Sequence, residues 1–182
     1  MAEIIDISAS LPDCRVYPGD PVPRLKKVLF ADKDGCNLTE LSMCTHNGTH
    51  VDAPLHFIDG AAGADEIPLD KCIGECVVTE NDDAEKAAET CTRIIIKNGD
   101  ITARQAEHIA GRVDLIGTDG LSFGARTDEQ EAVHKILLSA GVVLLEGLVL
   151  DNVKCGRYKL IALPLKLKGS DGSPVRAVLL NE

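Results

Sequence analysis

The stretch His46-Asn47-Gly48-Thr49-His50-Val51-Asp52-Ala53-Pro54-Leu55-His56 holds three of the five histidines in a chain of 182 residues. Neutral imidazole and carboxylate groups are ligands that suit zinc or manganese. If the segment is extended, His50 and Asp52 lie on one face, because side chains two apart in a strand point the same way. Gly48 permits a tight turn that returns His46 to the same point. The stretch therefore predicts three converging metal ligands.

A plainer interpretation of this stretch is a surface loop with titrating histidines, or one buried histidine bonded to Asp52. Its flanks favour the first hypothesis, because Leu41, Met43, Leu55 and Phe57 are apolar and place the segment in or beside the core. Buried imidazoles without partners would cost free energy. We therefore expect these histidines to have ligands or partners.

A second candidate pair, His134 and Glu146, lies further along the chain. His134 falls in a predicted helix, and alone it would be an ordinary helix histidine. Glu146 interrupts the apolar run from Gly141 to Leu150, where a lone carboxylate needs a proton or a cation. A metal ion would supply that cation.

Composition narrows the class of partner. The chain has 19 Lys and Arg against 29 Asp and Glu, a net charge of −10, and only five Phe and Tyr with no Trp. This argues against nucleic acid and anionic membranes and favours a small-molecule ligand. The longest apolar stretch is too short to span a bilayer, and the N-terminal residues do not resemble an export signal. We expect a cytoplasmic protein without a membrane anchor.

The seven cysteines are odd in number and scattered, which predicts free thiols in a reducing compartment. Cys72 and Cys76 have a C-x3-C spacing. Without a second pair nearby, this spacing favours two buried thiols over a structural zinc site.

The pattern of elements predicts one domain over residues 1–182, because no linker or repeat divides the chain. The strands are predicted at 3–8, 72–79, 92–97, 113–118, 142–145, 158–163 and 175–180, with a polar loop over 168–173. The helices are predicted at 103–110, with Thr102 as its N-cap, and at 128–140, and residues 82–89 form a short acidic helix or loop. This mixed alternation indicates an α/β or α+β fold with a mixed central sheet flanked by helices.

The stretch His46–Phe57 resembles the H-x-G-T-H-x-D-x-P-x-H-F signature of the metal-dependent cyclase family, which includes bacterial kynurenine formamidases (arylformamidases) and isatin hydrolases. The resemblance extends over nearly the whole chain. It includes Ile5-Asp6-Ile7-Ser8, Pro18-Gly19-Asp20, the segment 134–146, Leu163-Pro164-Leu165 and Pro174-Val175-Arg176-Ala177. It implies the family's swivelling β/β/α fold and a homodimer or higher homo-oligomer.

The resemblance also implies a role for each candidate residue. His46, His50 and Asp52 would bind a first metal ion, and Asp52 would bridge to a second. His134 would bind the second ion, and Glu146 would bind both. His56 would be the catalytic acid and base.

The implied activity is metal-dependent hydrolysis of an amide, with N-formylkynurenine converted to kynurenine and formate in tryptophan breakdown. The cofactor would be Zn²⁺ or Mn²⁺, at one or two ions per chain. Tyr17 would contact the substrate, at a position where kynurenine formamidases usually carry Trp. Two alternatives stay open, which are hydrolysis of a cyclic amide of the isatin kind and a non-catalytic protein that binds a metal or ligand.

Overall fold

The computed structural model describes residues 3–126 and 129–181, and over these residues it has eleven strands and four α-helices. The strands are β1 (Glu3–Asp6), β2 (Arg24–Leu29), β3 (Leu38–Ser42), β4 (His50–Asp52), β5 (Ile73–Glu80), β6 (Arg93–Lys97), β7 (Leu115–Thr118), β8 (Val143–Glu146), β9 (Gly156–Ile161), β10 (Gly172–Pro174) and β11 (Val178–Asn181). The helices are α1 (Ala31–Asp34), α2 (Ala84–Ala88), α3 (Ala103–Ile109) and α4 (Gln130–Ser139). Asp128, where the second main helix was predicted to start, lies outside the described residues.

Nine strands form one mixed sheet in the order β1-β11-β9-β5-β6-β7-β8-β4-β10. Strands β5 to β8 are parallel to one another, and every other pair in this sheet is antiparallel. The helices α2, α3 and α4 connect the successive parallel strands, as parallel pairing requires. The predicted mixed sheet with helices is confirmed. Strands β2 and β3 form a separate two-stranded sheet, the β2–β3 hairpin.

The central strands are buried on both faces. Ile94 and Ile96 of β6 pack with the helices, whereas Ile95 between them packs into the cluster on the other face. Leu144 and Leu145 of β8 divide between the same two clusters. Such continuous apolar runs are typical of parallel strands covered on both sides. They hold the end of β8 firmly in the core.

Most predicted elements are present with ends shifted by a few residues, and Thr102 caps α3 by accepting a hydrogen bond from the Gln105 amide at 3.3 Å. The interpretation of 168–173 as loop was wrong at its end, because Gly172 and Ser173 begin β10. A three-residue strand containing Gly and Pro has no hydrophobic alternation, so only its pairing with β4 reveals it. Within the described residues, no helix has the length and apolar character to cross a bilayer.

Candidate metal centre

Strand β4 positions the first donors, because it lies between β8 and β10. In its register His50 is opposite Glu146, and Asp52 is opposite Leu144 on one side and Gly172 on the other. Residues directly opposite on antiparallel strands have neighbouring side chains on one face. His50 Nε2 accordingly lies 3.6 Å from Glu146 Oε2 and 3.4 Å from Asp52 Oδ1.

The turn before β4 brings His46 back to the same carboxylate. Gly48 has a φ of +72°, the left-handed region that favours glycine. His46 Nδ1 then lies 2.9 Å from Asp52 Oδ1. The structure thus brings together the three donors of the sequence motif.

His134 reaches the centre from the helix α4. Its Nε2 lies 3.2 Å from Glu146 Oε1 and 3.4 Å from Asp52 Oδ2. Glu146 Oε1 also accepts a hydrogen bond from the Phe123 amide at 2.8 Å. The five residues predicted as ligands therefore lie together, with the three histidines around the carboxylates of Asp52 and Glu146.

Two of the imidazoles are oriented by backbone carbonyls. His50 Nδ1 lies 3.0 Å from the carbonyl oxygen of Gly48, and His134 Nδ1 lies 2.8 Å from that of Gln130. A carbonyl only accepts, so each Nδ1 carries a hydrogen and each Nε2 faces the carboxylate cluster, where it can bind a metal ion once its own proton is displaced. This is the arrangement in which metal-binding histidines are usually held. We call His50, His134 and Glu146, all buried, the buried half of the centre.

The other side of Asp52 is open to solvent, and we call His46, His56 and Asp171 the open half. Their side chains are 16%, 28% and 45% exposed, respectively. The His46 and His56 rings stack with centroids 4.0 Å apart and an interplanar angle of 25°. Donor atoms of His46, Asp52 and His56 lie within 4.8 Å of one another, so His56 is near enough to join the ligands.

Sequence reasoning missed Asp171. Its Oδ2 lies 3.1 Å from His46 Nε2 and 3.4 Å from His56 Nδ1, and its Oδ1 accepts a hydrogen bond from Thr45 Oγ1 at 3.0 Å. An aspartate between Ser170 and Gly172 in a polar segment has the composition of an ordinary turn. Only the pairing of β10 with β4, which the sequence analysis did not predict, brings Asp171 to this position.

Charge is concentrated at this centre. Burial disfavours the charged form of both His46 and His134, but the adjacent carboxylates outweigh it and raise the pKa of His46 to about 9 and that of His134 to about 10. Burial, followed by the charge of Asp52, raises the pKa of Glu146. Burial also raises the pKa of Asp52, but its histidine neighbours lower it well below its ordinary value. Without a metal ion, the two carboxylates are compensated by protons on the imidazoles.

The residues fit a divalent cation. Asp52 Oδ2 is buried and makes no aligned hydrogen bond to any of the described residues, and it faces His134 Nε2 at 3.4 Å. A buried carboxylate oxygen without such a bond is costly unless a cation is near. Donor atoms of His50, Asp52 and Glu146 form a buried cluster within 4.8 Å. Imidazole with carboxylate is a ligand set for zinc or manganese, and such binding displaces protons from the ligands.

A cavity of about 600 Å³ opens onto the centre. Its wall includes both polar and apolar side chains, among them Tyr17, Met43, Phe57, Leu121, Ser122 and Gln130. Tyr17 donates a hydrogen bond to Gln130 Oε1 at 2.8 Å, and Gln130 Nε2 donates one to Ser122 Oγ at 2.9 Å. The volume is that of a site for a small molecule.

Known proteins similar to this chain share its family and fold. The family described as "Putative cyclase" matches residues 5–143. Kynurenine formamidase from Salinibacter ruber is 37% identical over 97% of this chain and 96% of its own length, and that from Erythrobacter litoralis is 36% identical over 97% and 93%. The solved structure of a "predicted metal-dependent hydrolase" from Bacillus stearothermophilus is 27% identical, with a TM-score of 0.79 and full coverage of both chains. Isatin hydrolase A from Labrenzia aggregata, 23% identical with a TM-score of 0.80 over 99% of this chain and 94% of its own, shares the fold.

Proposed function

Because the chain belongs to the cyclase family, we propose that it is a metal-dependent hydrolase that cleaves the non-peptide C–N bond of an N-formyl aryl amine. N-formylkynurenine is the substrate that its relatives' name suggests, with kynurenine and formate as the products. Matches to several kynurenine formamidases over nearly the whole chain support this choice.

One observation carries the proposal. His50 and His134 each have Nδ1 bound to a backbone carbonyl, and both turn Nε2 toward the same two buried carboxylates. Asp52 Oδ2 faces His134 Nε2 at 3.4 Å without an aligned hydrogen bond among the described residues, so it keeps the capacity to bind a cation.

The proposed ligands would divide between two metal sites, with Asp52 available to both. His46, His50 and Asp52 would hold the first ion, and Asp52, His134 and Glu146 the second, with Glu146 also within reach of the first. Zinc is the proposed metal, with manganese as the alternative, at one or two ions per chain. When bound, the metal polarises the amide carbonyl and lowers the pKa of water at the site.

We assign proton transfer to His56, at the open side of the centre. Burial lowers the pKa of His56, which keeps its ring neutral and able to accept a proton near pH 7. In this role His56 takes a proton from the attacking water and delivers it to the amine nitrogen as the C–N bond breaks. The formyl carbon gains the water oxygen, and formate leaves with the second proton released to solvent.

Tyr17 is the proposed substrate contact. It lines the cavity and is half-buried, with its hydroxyl bound to Gln130. Its ring offers an aryl amine a flat apolar surface. Met43, Leu121 and Phe57 extend this surface.

The experiment that tests the function combines metal content with substrate choice. The purified protein is subjected to elemental analysis and then to hydrolysis of N-formylkynurenine, simple formanilides and isatin. We expect one to two zinc or manganese ions per chain and the highest kcat/KM on the N-formyl aryl amines. Preference for isatin would favour the cyclic amide, and bound metal without turnover would indicate a binding protein. A metal-free, inactive protein after metal supplementation would contradict the proposal.

We also propose a homodimer in which the β2–β3 hairpin contacts the partner. The hairpin and its flanks expose apolar side chains that a folded monomer rarely groups together. They are Val22 (61% exposed), Leu25 (50%), Phe30 (42%), Leu38 (52%) and Leu41 (50%). Sedimentation at micromolar concentration is expected to give a dimer, and Leu25→Lys with Leu41→Lys to shift it toward monomer.

A single domain over residues 1–182 and a cytoplasmic location complete the proposal. Strand β1 pairs with β11, so the first and last described strands belong to one sheet. Cys72 and Cys76 are free and buried, and burial raises the pKa of their thiols to about 11 and 12. Unreactive buried thiols suit a reducing compartment.

A further inference from the structure

We propose that Asp171 is a positioning residue that orients His46 and His56 together through one carboxylate oxygen. The inference rests on the proposed function, because it assigns His46 to the metal and His56 to proton transfer. Asp171 would fix the ring orientations in the open half, as the carbonyls of Gly48 and Gln130 fix those of His50 and His134 in the buried half.

The contacts of Asp171 place it against both rings. Oδ2 lies 3.1 Å from His46 Nε2 and 3.4 Å from His56 Nδ1, on the edges of two stacked imidazoles. In each ring, the other nitrogen is then the one available to the centre. For His46 this is Nδ1, which faces Asp52 at 2.9 Å. A carboxylate behind a metal-binding imidazole fixes the tautomer and the ring orientation.

Asp171 is itself held on several sides. Thr45 Oγ1 donates to its Oδ1 at 3.0 Å, and the Ala53 amide donates to its carbonyl oxygen at 2.9 Å. The preceding loop is fastened by Asp65 Oδ1, which accepts a hydrogen bond from the Gly169 amide at 2.8 Å. A carboxylate anchored in this way can determine the orientation of its neighbours.

Gly172 allows the close approach. A Cβ at this position would lie 2.6 Å from His46 Cε1 and 2.9 Å from the carbonyl oxygen of Val51. A side chain at 172 would therefore push the His46 ring away from Asp171. Gly172 thus leaves room for the His46 ring, and Asp171 aligns that ring.

The test compares Asp171→Ala with Asp171→Asn and uses Asp65→Ala as the matched control. Asp65 anchors the same loop through Gly169 and, within the described residues, makes no hydrogen bond or ion pair with a histidine. The metal-free proteins are titrated with Co²⁺, and the visible absorption gives the affinity. Turnover of an N-formyl aryl amine is then measured at saturating Co²⁺, and circular dichroism checks folding.

We expect Asp171→Ala to weaken Co²⁺ binding by about 10- to 100-fold, the usual effect of losing an outer partner of a metal ligand. Its kcat at saturating Co²⁺ should also fall, because His56 loses its orientation. Asp171→Asn should recover a large part of the affinity, since its amide oxygen can lie against both rings at the same distances while its amide nitrogen donates to Thr45. Asp65→Ala should bind Co²⁺ within about threefold of the wild type.

Three results would overturn the assignment. They are wild-type affinity and kcat in Asp171→Ala, no recovery in Asp171→Asn, and an equal loss in Asp65→Ala. The last would show that the loop as a whole matters and that the carboxylate does not. Failure of the proposed function is distinguishable, because the wild-type protein itself would then bind no Co²⁺ or turn over no substrate.

Discussion

The two halves of the centre differ in what fixes their imidazoles. In the buried half, His50 and His134 are oriented by backbone carbonyls of a turn and a helix, and solvent is excluded. In the open half, His46 and His56 contact a side-chain carboxylate that is 45% exposed. Under the proposed function both halves hold metal, through His50, His134 and Glu146 in the buried half and His46 in the open half, and the open half also transfers protons through His56. Asp52 lies between them and contacts histidines of both.

Replacing Asp52 should break both halves at once. We expect Asp52→Ala to lose nearly all bound metal and to reduce kcat/KM by about 10³-fold or more, as for removal of a central catalytic group. His134→Ala should retain more metal, because it removes a ligand from one ion only. Elemental analysis of both variants checks this order. Equal metal content in the two would contradict a bridging role for Asp52.

Replacing His56 should separate metal binding from proton transfer. His56→Ala is expected to keep its metal and to lower kcat by about 10²- to 10⁴-fold, the range for loss of a positioned proton-transfer group. Metal content and kcat are measured on one preparation. Because His56 lies near His46 and Asp52, loss of metal would instead make it a ligand.

Replacing Gly147 tests the backbone that orients His50 in the buried half. Gly147 has a φ of +68°, and a Cβ there would lie 2.2 Å from the carbonyl oxygen of Gly48, the acceptor for His50. We expect Gly147→Ala to lower the free energy of unfolding by about 3 kcal/mol or more, through strain and a clash. The control is Gly169→Ala, with a φ of +69° and open space around its Cβ, which should cost about 1–2 kcal/mol from the left-handed conformation alone. Urea denaturation of both proteins measures the difference, and similar losses would mean that the Gly48 carbonyl moves without cost.

The smallest effect is expected outside both halves. Tyr17→Phe removes the hydroxyl that donates to Gln130 and keeps the ring. One neutral hydrogen bond within the protein contributes about 0.5–1.5 kcal/mol to stability, so loss of this support for Gln130 should lower kcat/KM by at most about 12-fold with metal content unchanged. Steady-state kinetics checks this, and a much larger fall would give the hydroxyl a part in the chemistry.

Sequence reasoning located the parts of the fold whose residues carry a local signal. Apolar runs such as Ile94–Ile96 identified the central strands, and the capping residue Thr102 identified the start of α3. The ligand roles came from the motif and its resemblance to a family. Asp171 could not be found, because its contacts with His46 and His56 depend on the pairing of β10 with β4, and nothing in residues 172–174 predicts a strand. The β2–β3 hairpin escaped for a related reason, since its exposed strands lack a pattern of buried and polar positions.

The pairing of β4 also sets the order in which the centre can be assembled during synthesis. His50 precedes its cross-strand neighbour Glu146 by more than half the length of the chain, and Gly172 follows later still. At roughly 5–20 residues per second, the motif leaves the ribosome several seconds before either partner strand exists. During that interval β4 is three residues with two unpaired edges, too short to be an effective template for aggregation. The centre is therefore completed late in synthesis, and a chain that stalls before residue 143 would carry the histidine motif without the carboxylate that completes the buried half.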